Sequence, residues 1–303
     1  MRRFRAAAML MAGMMAAVSC SGPSSQDAAV NRSPADGTSA PPPAVTASPT
    51  TANLNNASLP LDRYTTSVDD YIELDYAAKL MTFDCMERFG YKLNPGGRLK
   101  LNAMRDRTNR LGLVDEAQAA RAGYHLDPVR AGAYSPRDNG PKLTDEQGVV
   151  MFGDPSRKDL PERGCTGEGY RKIGWNVNDD MWLQDLEGGA AARTFSDKRA
   201  LVVLADWSAC MKGSGYRYDK PEDASQDRRW WKGDDDAAAS NAEKSTAVAD
   251  VRCKKKVNYV GRMTAILTAY QQQSVEGNLE RLESVHRQVQ EALKNAAAVL
   301  GGR

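Results

Sequence analysis

Only two histidines, His125 and His286, occur in this chain, and no two of its five cysteines are spaced CxxC. Zinc and dithiol redox sites need such clusters, so the cysteines read as structural. No G-x-S-x-G, S-x-x-K, H-E-x-x-H or phosphate-cradling glycine loop occurs either. The common nucleophile, metalloprotease and nucleotide signatures are therefore missing, and no cofactor is implied. Apolar runs of membrane-spanning length are absent. Strand signals are sparse, with Val149-Val150-Met151-Phe152 the best candidate, and no proline follows Pro221.

What is present begins at the N-terminus. Arg2, Arg3 and Arg5 precede an apolar run from Ala6 to Ala17, which ends in Ala17-Val18-Ser19-Cys20. A basic start, a short apolar core and small residues at the cut site make an export signal over residues 1–19. A cysteine at the first mature position is where bacterial lipoproteins carry their lipid, so Cys20 is the expected attachment to the membrane. Phe4 follows Arg2-Arg3 directly, and the rest of a twin-arginine motif is missing. Loss of the three signal arginines leaves 38 basic against 39 acidic residues, a net charge of −1. That balance gives no electrostatic footprint for a nucleic acid.

Residues 20–60 follow as the lipid-bearing cysteine and a Ser/Thr/Pro/Ala-rich stretch. After Cys20 it holds seven of the 14 prolines, including Pro41-Pro42-Pro43, and no aromatic residue. Such a composition buries too little apolar surface to offset ordering, which predicts a disordered tether. Its relaxed reach is on the order of 35 Å, enough to hold a domain off the membrane.

The body, 61–303, reads as all-α. Thr66-x-x-Asp69 and Ser67-x-x-Asp70 resemble capping boxes, and Tyr71, Leu74, Ala78, Met81 and Cys85 recur beyond them at helical spacing. A second helix is expected at about 114–122, with Asp115-Glu116 at its positive end. Two more are expected at 179–190 and 196–212, the latter turning Leu201, Leu204, Trp207 and Met211 to one side. Ser240-x-x-Glu243 opens the longest segment. Uninterrupted, 240–299 would span roughly 90 Å, with Gly277 a point where it can bend. Its end, Leu279 to Leu300, carries a narrow apolar stripe between charges, including Glu283 and Arg287, and so offers a partner face.

One sequence block recurs. Cys85-Met86-Glu87-Arg88-Phe89-Gly90-Tyr91 and Cys210-Met211-Lys212-Gly213-Ser214-Gly215-Tyr216 share C-M-x-x-x-G-Y at the end of a helical pattern. Here the cysteine faces inward, the glycine takes the left-handed cap and the tyrosine folds back. Each copy is followed by a long excursion and another cysteine, Cys165 or Cys253, near an expected helix start. The four body cysteines allow three connectivities in an oxidising compartment. The repeat selects Cys85–Cys165 and Cys210–Cys253, each joining a helix end to the start of the next.

These blocks, with Gly112-Leu113-Val114-Asp115-Glu116, Gly164-Cys165-Thr166-Gly167-Glu168 and Ala249-Asp250-Val251-Arg252-Cys253-Lys254, resemble uncharacterised exported lipoproteins of actinobacteria. The resemblance covers about 70–290. It implies an envelope address and a disulfide-stapled helical domain, and brings no activity with it.

Candidate chemistry is thin. Asp69-Asp70-Tyr71-Ile72-Glu73 resembles a DDxxD/E metal motif, but acids at a helix start have a simpler dipole role. Asp234-Asp235-Asp236 lacks the alternating ligands and glycine of a calcium loop. Glu168 has the right chemistry for a general acid but no identified partner. His125 reads as a hydrogen-bonded packing residue. Trp230 and Trp231, flanked by Arg228 and Arg229, form the most unusual surface, suited to stacking on a sugar or protein, although one of the two also suits an anchor to the core. The expected function is a lipid-anchored, non-enzymatic module contacting an envelope protein or cell-wall component. The alternative is a hydrolase of wall glycan or peptide, pairing Glu168 with an acid from 69–75 or 179–180.

Overall fold

The computed structural model describes residues 41–45, 58–98, 111–125, 141–231 and 238–302. Cys20, the expected signal segment 1–19 and Asp234–Asp236 lie outside them. Among the described residues every regular element is helical.

In chain order the helices are α1 (Val68–Arg88), α2 (Glu116–Ala122), α3 (Asp145–Phe152), α4 (Gly164–Ile173), α5 (Val177–Ser196), α6 (Lys198–Gly213), α7 (Pro221–Ser225), α8 (Asn241–Lys256) and α9 (Tyr259–Gly301). Side-chain caps start most of them. Ser67 accepts from Asp70 N at α1, Asp115 from Gln118 N at α2, and Ser240 from Glu243 N at α8. Val149–Phe152, the best strand candidate in the sequence, instead ends α3, whose start Thr144 and Gln147 close with a reciprocal capping box. That local start outweighs the β-branched pair at 149–150.

The echoed endings adopt one conformation. Gly90 and Gly215 have φ of 86° and 90°, and the next tyrosine amide closes back on the helix, Tyr91 N to Met86 O at 3.0 Å and Tyr216 N to Met211 O at 2.9 Å. This is the wide bond of a Schellman cap, which an L side chain at the glycine would strain. Both disulfides form as the repeat selects, with Cα–Cα separations of 5.4 Å for Cys85–Cys165 and 5.6 Å for Cys210–Cys253.

Behind the endings the symmetry stops. Cys165 starts α4, but Cys253 lies in the last turn of α8, not at a helix start. Along α1 and α4, contacts run in opposite directions, with Thr82 against Gly169 and Cys85 bonded to Cys165. Along α6 and α8 they run together: Trp207 Nε1 donates to Asp250 at 2.9 Å, and three residues on in both helices Cys210 bonds Cys253. One bridge closes an antiparallel pair and the other a parallel one, so the two halves are not copies of one hairpin.

The expected continuous segment from 240 breaks at Asn258, whose φ of 48° and ψ of 44° are left-handed. Asparagine tolerates that region, so the break carries no glycine or proline signal. The bend expected at Gly277 falls on Asn278 (φ −134°), whose side-chain amide donates to Ser274 O at 2.8 Å.

Helix α9 is the spine. Its first half packs Tyr259, Met263, Ile266 and Tyr270 against Ala200, Val203, Trp207 and Met211 of α6 and Ala190 of α5. Leu201, expected on the inward side of α6, is 51% exposed, because Ala200 and Val203 take the inner positions. The second half is not a free face. Leu282 packs with Leu61, Tyr64, Leu183 and Leu186, while Ala292 and Ala296 pack with Leu74, Ala77, Ile173 and Trp175. Glu283 binds Arg63 at 2.7 Å and accepts from Tyr64 at 3.1 Å, in place of the expected pairing with Arg287.

Part of the expected tether also rests on this body. Pro43 O accepts from Arg199 at 2.9 Å, Pro41 O accepts from Gln273 at 3.3 Å, and Val45 packs on the core of α6 and α9. Three prolines fix an extended backbone whose carbonyls stay available to donors.

Candidate functional site

The tryptophan turn follows α7. Trp230 is buried, and its indole donates to Ala224 O at 2.8 Å. Arg229 lies over that ring at 4.8 Å and binds Asp227 and the Tyr218 hydroxyl, each at 2.7 Å. The Arg229 guanidinium holds the Asp227 carboxyl well below the usual carboxylate range. Trp230 and Arg229 therefore build the turn. Trp231 is 44% exposed and Arg228 is exposed, so these two remain on the surface.

One face of Trp231 is covered from within. Its ring stacks on His125 with centroids 4.5 Å apart, and His125 Nδ1 lies 2.8 Å from Glu243 Oε1. Glu243 is 1% exposed and also accepts from Tyr124 N at 2.8 Å. At its position in α8 a glutamate ordinarily turns back to complete the capping box. Here it reaches into the body, and only the chain's return at 124–125 supplies its partners. A second buried group lies further along α8. Asp250 accepts from Lys254 at 3.1 Å and from Trp207, with both charged side chains at 2% exposure or less. Burial pushes the Asp250 carboxyl up, against the pull of Lys254. Both groups tie helices together below the surface.

An open concavity lies elsewhere, between α1, α3 and α4. It holds about 370 Å³, within the range of small-molecule sites. Asp75, Lys79 and Thr82 reach it from one face of α1, and Thr166 and Tyr170 from one face of α4. Phe83, Leu143, Met151 and Phe152 add apolar wall, and Phe152 is 62% exposed. Gly169 lets α1 and α4 meet beneath it: a Cβ there would sit 2.5 Å from Ala78 O. Burial raises the Asp75 carboxyl above its ordinary range, with Lys79 opposing. Burial also pushes the Tyr170 hydroxyl up to about 12, and the Asp75 charge adds to that push.

Of the acids marked in the sequence, Asp75 alone lines this cleft. Glu168 turns to Arg88, which donates to its two oxygens at 2.8 and 2.7 Å, and it does not line the cleft. Glu73 pairs with Arg98 at 3.0 Å, and Asp70 with Ser67 at 2.7 Å. Asp180 accepts from Trp175 at 2.9 Å and Thr66 at 3.1 Å. Among the described residues no three metal-ligating side chains cluster, and no helix is long and apolar enough to cross a membrane. Asp75 falls within the 69–75 range that the sequence marked, but nothing there set it apart from Asp69, Asp70 and Glu73, because an acid in mid-helix carries no motif; only the folded walls around it do so.

Comparison with family models, curated proteins and solved structures finds no match to this chain.

Proposed function

We propose that this chain is a lipid-anchored protein of the cell envelope, attached through Cys20 and akin to the exported actinobacterial lipoproteins it resembles. Its body works as a non-enzymatic binding module for an envelope protein or cell-wall component. The observation that carries the binding role is the cleft between α1, α3 and α4, with apolar walls and few polar groups. The basic-apolar-cysteine start supports the address, and two disulfides fit an oxidising compartment. The hydrolase alternative rests on Asp75, a carboxyl raised by burial inside a cleft. Against it, Glu168 is held by Arg88.

Cys20→Ser is expected to release the protein from the membrane fraction or stall its processing. Unchanged fractionation would sink the anchor. For the binding role, a photo-crosslinker at Phe152 on intact cells is expected to yield adducts that a crosslinker at Lys212 does not. Equal adducts at both positions would remove the cleft's part in binding. Release of wall fragments by the purified chain, abolished by Asp75→Asn, would establish the hydrolase instead.

A further inference from the structure

Asp75 carries its carboxyl in a sheltered place, with Lys79 its only opposing charge among the described residues. It is half-buried on the α1 wall of the cleft, and it forms no hydrogen bond or ion pair with any described residue. Lys79, one turn on, directs its Nζ to Gly97 O at 3.4 Å. A carboxylate drawn away from water without a close partner costs free energy that an incoming cation relieves. Three aromatic rings, Phe83, Phe152 and Tyr170, stand in the same walls, and ring faces attract cations. Met151 and Leu143 complete an apolar surface for the rest of a ligand.

We propose that the cleft binds a small organic cation: an ammonium group set against the Asp75 carboxylate, carried on an apolar or aromatic body lying against Phe83, Met151 and Phe152. Lys79 disfavours a second positive charge, so the preferred ligand is a monocation. This assignment rests on the reading of the cleft as the module's binding site, and names the chemistry of what it takes.

The test is calorimetric titration of the signal-free Cys20→Ser chain with phenylbutylammonium and with neutral phenylbutanol. The ammonium is expected to bind about tenfold more tightly, the scale of one charge-assisted contact. Asp75→Asn is expected to bring the two affinities to about parity, while Asp75→Glu keeps the preference. Phe152→Ala is expected to weaken both probes alike, which locates them in the cleft. Equal binding of both probes by the unaltered cleft, or a preference surviving Asp75→Asn, overturns the cation assignment and leaves the binding module standing. Failure of both probes to bind, or binding indifferent to Phe152→Ala, overturns the cleft as the binding site, and the assignment with it.

Discussion

The Tyr270 hydroxyl donates to the Asp197 carboxylate at 2.9 Å, pinning the corner between α5 and α6 to the spine helix. Asp197 ends α5, caps α6 by accepting from Arg199 N at 2.8 Å, and pairs with the Arg199 guanidinium. One buried carboxylate thus serves three elements. The Arg199 hydrogen bond is the main cause that lowers its pKa to about 2. A carboxyl lowered in the folded state adds stability that is full above its unfolded pKa, near 4, and is lost as pH falls through the folded value.

Asp197→Ala is therefore expected to destabilise the protein by about 2–4 kcal/mol at neutral pH, through loss of a cap and of charged hydrogen bonds. It should also flatten the stability loss between about pH 4 and pH 2. Urea titrations across that range check both, and an unchanged acid limb would contradict the role given to Asp197.

Removing the first bridge should act locally as well as globally. Cys85 and Cys165 sit in a small core with Met86, Val150, Met151 and Leu160, beside the cleft. Cys85→Ser with Cys165→Ser is expected to cost about 2–4 kcal/mol. Hydrogen exchange should quicken first in α3, whose Met151 and Phe152 wall the cleft. Uniform quickening over α6 and α8 would show that the bridge acts only through global stability.

Gly169→Ala tests the close approach of α1 and α4. The added methyl would meet the Ala78 carbonyl and Thr82, both fixed in α1. Overpacking against backbone is expected to cost about 1–3 kcal/mol. Gly188→Ala, with open space around it, is the control and should stabilise α5 by about 0.5–1 kcal/mol. Denaturant midpoints of the two variants should move in opposite directions.

Truncation after Gly277 should unfold much of the body. Leu282 and Ala292 are fully buried and Ala296 is 1% exposed, each in a core shared with distant segments. Burial of one leucine is worth about 1.5–3 kcal/mol, a large share of the 5–15 kcal/mol that holds a typical domain together. Circular dichroism of the truncated chain is expected to show helix loss beyond the deleted residues. A cooperative, native-like melt would mean that the second half of α9 is dispensable.

Where local chemistry dominates, the fold was legible in the residues. Serine and aspartate caps placed the starts of α1, α2 and α8, and Gly90 and Gly215 placed two ends, because caps act over three or four residues. Asn258 was not legible as a break, nor Asn278 as a kink, since asparagine signals a left-handed or irregular backbone weakly. The tryptophan pair was visible as unusual. Which ring anchors and which stays exposed depended on Ala224, Ser225 and His125.

By itself the sequence determined the helical class and the pairing of four cysteines through an echoed helix ending. Each of these is written in short-range patterns of charge, apolar spacing and glycine. The tertiary structure alone decided that one bridge joins antiparallel helices and the other parallel ones, that the narrow stripe at the end of α9 is covered, and that Glu243 meets His125 rather than its own helix start. It alone set Asp75 inside a cleft. Those outcomes depend on which distant surfaces meet, and the burial and partners of a side chain exist only once they have met.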